Sequence, residues 1–233
     1  MEYEDFPIVT TNSATKSPLL SVAITVIGFF AIWIVYVLVL LRFPDTFNGD
    51  SAEKGILRAY IRVALWVGPL VLYAWYAEKR SFAQFLALRD NWRKGLVGGA
   101  ILCGISAVLT VLRIIFQGAE FQALASIDLG TWLNPILTAP LVEELMFRGL
   151  IFRIVDKHSS FFVALVVSSA LFALIHFPYW FLVGVHSGMG MAQELSVIFF
   201  IGVILGGSMK ATGSLLTPLI GHWANNIASI VVT

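Results

Sequence analysis

Between Lys16 and Arg42 the chain carries no charged side chain, and two further runs, Ile56 to Ala77 and Gly95 to Phe116, carry arginine only near one end. A helix needs about 20 mostly apolar residues to cross a hydrocarbon layer of roughly 30 Å. Runs of this kind commit the chain to a bilayer. The composition agrees: of 233 residues 58% are hydrophobic and 12% charged, against about a quarter charged in an ordinary soluble domain, and mean hydropathy is +0.86. Disorder is excluded, and a soluble enzyme is a poor fit. The net charge of +1 comes without any basic block, so nucleic acid is not an expected partner. The single cysteine, Cys103, precludes a disulfide framework or a cysteine-built zinc site.

Seven spans are expected: Leu19–Leu41, Ile56–Ala77, Gly95–Phe116, Trp132–Val155, Phe161 to about Val185, a short Leu195–Met209, and Leu215–Val232. The first is no secretory signal peptide, because an acidic region precedes it and its apolar run is too long. Arg58 and Arg62 are expected to reach the interface from the start of span two. Gln117–Gly130 reads as a short surface helix, and Pro178 as a kink. Trp66, Trp75, Trp92, Trp132, Tyr179 and Trp180 read mostly as an interface belt. The architecture is thus all-α, a polytopic bundle forming one domain: a cytoplasmic tail at 1–18, scaffold helices at 19–130 and a helical core at 131–233. Lys79, Arg80, Arg89, Arg93 and Lys94 place the loop between spans two and three in the cytoplasm, and the N-terminus with it. Arg42, Lys54 and Arg58 run against that bias.

Spans four, five and seven carry Glu143, Glu144, Arg148, His176 and His222. Each ionisable group at mid-membrane costs about 2.5–3.5 kcal/mol on insertion scales, so the pattern calls for a reason. Residues four apart share a helix face. Glu144 and Arg148 can therefore pair, while Glu143 points elsewhere. His222 and Asn226 present one polar edge, and Phe172 can pack beside His176. A carboxylate with a histidine can take a proton from water, and a second histidine with an amide can stabilise an oxyanion. Taken singly, each group has a plainer reading: a structural ion pair for Glu144 and Arg148, packing histidines, and interhelical bonding for Asn226. Asn225 could replace Asn226. His158 and His186 are assigned no role.

VEELMFRGL (Val142–Leu150), FALIH (Phe172–His176) and HWANN (His222–Asn226) resemble, in order, the E-E-x-x-x-R, F-x-x-x-H and H-x-x-x-N motifs of the CPBP family. These are the CAAX proteases and bacteriocin-processing (Abi) enzymes, glutamate-dependent intramembrane endopeptidases. The resemblance covers roughly residues 135–230. It implies that Glu143 and His176 activate water, that His222 and Asn226 form the oxyanion site, and that Glu144, Arg148 and Phe172 support them. The family has also been described as metalloproteases. Zinc would find His176, His222 and Glu143 here, but there is no H-E-x-x-H, and Arg148 is a poor neighbour for a cation. The reading without cofactor is favoured. The expected partner is a membrane-embedded or membrane-anchored protein or peptide precursor, prenylated or not, of the C-terminal sorting-signal or bacteriocin kind. The expected place is a prokaryotic plasma membrane. Two other functions compete. A non-catalytic immunity or peptide-binding protein gains no support from degenerate motifs, since all six polar positions are intact. A carrier would usually show repeats with paired broken helices, and the chain has one Gly-rich break, Gly184–Gly190.

Overall fold

The computed structural model describes residues 18–47, 51–76, 78–79, 81–82, 86, 90–123 and 127–232. The tail assigned to 1–18 lies outside them except for Pro18, as do Arg80 and Arg89. The described chain is helical: α1 (Pro18–Arg42), α2 (Ala52–Tyr76), α3 (Trp92–Gln117), α4 (129–158), α5 (Phe161–Leu174), α6 (Phe177–Val183), α7 (Gly188–Thr212) and α8 (Leu216–Val231). Among the described residues, five segments are long and apolar enough to cross a membrane: Pro18–Arg42, Ala52–Tyr76, Trp92–Gln117, Phe161–Val183 and Gly188–Thr212. Helix α4, with its six charged side chains, and α8, at 16 residues, stand outside that group.

Several expectations are corrected. The sixth span is not short, because α7 starts at Gly188 inside the glycine-rich stretch and runs 25 residues. The expected surface helix after α3 is absent among the described residues. Instead Phe121 forms an antiparallel bridge with Val232, and Gln122 N–H donates to the Val231 carbonyl at 2.8 Å. Trp66 is no belt residue: it is 1% exposed and packs on Phe29, Trp33 and Phe147. Trp75, at 62% exposed, does fit a belt. Arg58 donates to the Phe47 carbonyl at 2.6 Å, and Arg62 lies over the Trp33 ring.

Helix α4 is the centre of the molecule. Val142, Glu144, Met146, Phe147, Arg148 and Leu150 are all fully buried, so the middle of α4 meets protein on every side. It is not a uniform α-helix. Trp132–Thr138 and Leu145–Phe152 are π-helical, and between them Ala139–Glu144 is α-helical. Such wide turns are rare and occur often at functional sites.

Helices α3 and α8 meet along small residues. A β-carbon on Gly99 would come within 2.8 Å of Ile220, one on Gly95 would press on Ser214, and one on Gly221 would meet Leu102. Close approach through Gly-x-x-x-Gly is a membrane solution where no hydrophobic force joins helices. The opposite face of α3 exposes Leu96, Val97, Ile101, Val108 and Leu112, as a lipid-facing helix would. The seam fixes α8, which carries His222 and Asn226.

Candidate active site

The three motifs put their polar residues on α4, on the turn after α5 and on α8, and the fold brings these together. Arg148 Nη1 lies 3.1 Å from Glu144 Oε1, the pairing expected from their spacing. The same oxygen receives His222 Nδ1 at 2.8 Å. Glu144 is thus not merely a helix-internal partner, since it ties α4 to α8. The other face of the His222 ring edge meets the neighbouring carboxylate, with Nε2 3.8 Å from Glu143 Oε2. That is ion-pair range but too long for a direct hydrogen bond.

Arg148, fully buried, also donates through Nη2 to the Gly202 carbonyl at 3.1 Å, and its guanidinium sits 4.4 Å from the centroid of Phe172. One side chain therefore links α4, α5 and α7. Phe172 takes the cation on its ring and meets both His176 and His222 edge-on, each with ring centroids 5.5 Å away. This aromatic ring sets the spacing of the two imidazoles.

His176 is half-buried at the turn between α5 and α6. The turn follows from Pro178, which has no N–H and clashes with the carbonyl four residues back. His176 Nδ1 is 3.0 Å from the Phe172 carbonyl. A carbonyl only accepts, so Nδ1 carries the hydrogen and Nε2 of the neutral ring is left as an acceptor. Trp180 packs on the ring, and His186 in turn packs on Trp180. No hydrogen bond or ion pair joins His176 to Glu143 among the described residues. Among the described residues, the group within ion-pair range of Glu143 is His222.

Asn226 reaches α4. Its amide donates to the Pro135 carbonyl at 2.7 Å. In a π-helix the donor for that carbonyl would be the N–H five residues on, which is Pro140 and has none. The Ala139 N–H is already committed to Asn134. Asn226 supplies the missing bond and keeps a second N–H, since a side-chain amide has two. Asn225 donates to the Asn226 oxygen at 3.4 Å. Replacing Asn226 by alanine is expected to cost about 1–3 kcal/mol from the orphaned carbonyl. Adding Pro140→Ala, which restores an N–H, is expected to recover part of that in thermal denaturation. No recovery would show that the carbonyl is not what Asn226 serves.

Asn134 was not singled out by sequence reasoning. It is 7% exposed and donates to the Gly55 and Gly130 carbonyls at 3.0 Å each, joining α2 to the start of α4. The only available signal was an amide inside an apolar run. A cavity of about 220 Å³ adjoins Glu144, lined otherwise by apolar side chains including Leu141, Leu145, Leu215 and Leu219.

Among the described residues no three His, Cys, Asp or Glu side chains group as ligands. Both Nδ1 atoms are spent on protein acceptors, and Glu144 is held by a guanidinium.

A polytopic helical membrane protein with carboxylates, imidazoles and an amide gathered inside the bundle is the class that fold and site define. Residues 125–228 match the family described as Rce1-like, type II CAAX prenyl endopeptidase Rce1-like. This is the protease family that the three motifs resemble, and the matched segment contains all of them. The match supports an intramembrane endopeptidase in general, acting on a membrane-associated peptide. No curated protein and no solved structure matches the chain.

Proposed function

We propose that the chain hydrolyses a peptide bond of a membrane-associated protein or peptide precursor with a water activated by Glu143 and histidine, without a metal. The observation that carries this is the placement of His222 against both carboxylates, with its Nδ1 on Glu144 and its Nε2 toward Glu143. Two atoms 3.8 Å apart can share one water oxygen. Glu143 takes the proton of that water as it attacks the peptide carbonyl, and the proton passes to the leaving amine. His176, with Nε2 unencumbered, is the second acceptor for the attacking water. The oxyanion that forms is met by N–H donors on α8. Because Glu144 accepts from Arg148, the hydrogen in the His222–Glu144 bond belongs to Nδ1, and Nε2 donates when the ring is an imidazolium. Asn226 offers its second N–H. Donors of this kind are typically worth about 100- to 1,000-fold in rate.

The apolar cavity beside Glu144 gives room for an aliphatic group of the substrate. The place of action is a prokaryotic plasma membrane with the N-terminus inside. Comparing peptides released from host membranes by wild type and by a Glu143→Gln variant would identify substrate and bond together. Identical peptide sets would sink the proposal.

The metal-free mechanism is separately testable. Purified enzyme is expected to stay active after prolonged chelation, and His222→Gln, which keeps an N–H donor, is expected to retain measurable turnover. Stoichiometric zinc, lost with activity and restored with it, would move His176 and His222 to metal ligands.

A further inference from the structure

The turn that ends on His176 is secured by a residue outside the segment matched to the family. Around the break between α5 and α6 the backbone bonds run Ile175 N to Leu171 O at 3.1 Å, His176 N to Ala173 O at 3.2 Å and Trp180 N to His176 O at 3.1 Å. None of them reaches the Ile175 carbonyl. Its donor is the indole N–H of Trp33 on α1, at 3.1 Å in a buried contact. The Ile175 carbonyl and the His176 N–H belong to one rigid peptide plane, so Trp33 holds the plane from which His176 projects.

The indole is itself fixed. Trp66 meets it at 5.4 Å and 75°, Tyr36 at 5.4 Å, and the Arg62 guanidinium lies 5.8 Å from its centroid. Trp33 is 8% exposed. A cation over the face of an indole is attracted to the ring quadrupole, so Arg62 of α2 adds to the clamp. Two helices without a recognisable motif, α1 and α2, thereby act on one site residue.

We propose that Trp33 is a positioning residue, orienting the His176 imidazole through the Ile175–His176 peptide. This rests on His176 being a working group of the endopeptidase site. The test uses the full chain in detergent or nanodiscs, with Trp33→Phe removing the N–H while keeping an aromatic ring. Histidine side-chain ¹⁵N resonances, assigned with His176→Gln and His222→Gln, are expected to shift for His176 and to stay in place for His222. Turnover is expected to fall on the order of 10- to 100-fold, as misplacement of a reacting group does, with KM changed less than about twofold. In the wild type, the Trp33 indole proton is expected to exchange slowly with solvent. Unmoved His176 resonances in folded Trp33→Phe protein, or a rapidly exchanging Trp33 indole proton in the wild type, would overturn the proposal. If the resonances move but the purified wild type cleaves no peptide, the endopeptidase reading fails and the positioning by Trp33 stands.

Discussion

Glu143→Gln is expected to lower kcat by about 100- to 10,000-fold, the usual contribution of a positioned general base, while the protein remains folded and membrane-inserted. The structure separates these two effects. Glu143 is 8% exposed and, among the described residues, makes no hydrogen bond, its ion-pair partner there being His222 Nε2 at 3.8 Å. Little packing depends on its charge, and glutamine keeps its shape and a carbonyl acceptor but takes no proton. His176→Ala is expected to fall in the same range, and the double variant no further than the worse single one, because groups acting as a unit are not additive. Near-normal turnover by purified Glu143→Gln protein would remove it from the reaction.

The largest effect on stability is expected from Arg148→Ala, at about 3–5 kcal/mol, the typical loss when one partner of a buried ion pair is removed. Arg148 is fully buried, and its loss strips Glu144 of a cation, the Gly202 carbonyl of a donor and Phe172 of its face contact. Lysine should not rescue it, since a point charge lacks the planar fork that reaches two acceptors while lying on a ring. Combining Arg148→Ala with Glu144→Gln is expected to restore part of the loss, and only part, because Glu144 also accepts from His222. Chemical denaturation in detergent would measure all three. A double variant no more stable than Arg148→Ala would show that the uncompensated carboxylate is not the source of the loss.

The first three helices could be read from the sequence because a lipid-facing helix needs an unbroken apolar run. The Glu144–Arg148 pair was equally legible, as a local contact fixed by four-residue spacing. What lay hidden was which apolar face meets lipid and which meets protein, since both environments select the same side chains. Hence Trp66, expected in the belt, is buried instead. The three motifs named the candidate residues, but not that His222 faces both carboxylates, a contact made across 78 positions. The tie from Asn226 to Pro135 did have a signal in the five-residue spacing of Pro135 and Pro140. It becomes readable only with a π-helical register, which no hydropathy pattern announces.

The two wide segments of α4 also bear on how its sequence can change length. A π turn closes with one more residue than an α turn. Deleting one residue within Trp132–Thr138 can therefore be absorbed by tightening that turn, leaving Glu143 and Glu144 facing as before. A deletion inside Ala139–Glu144, which is already α-helical, has no such slack and would swing residues on one side of it by about 100° relative to the other. The helix that presents the two glutamates thus has a region tolerant of changes in chain length beside a region that is not.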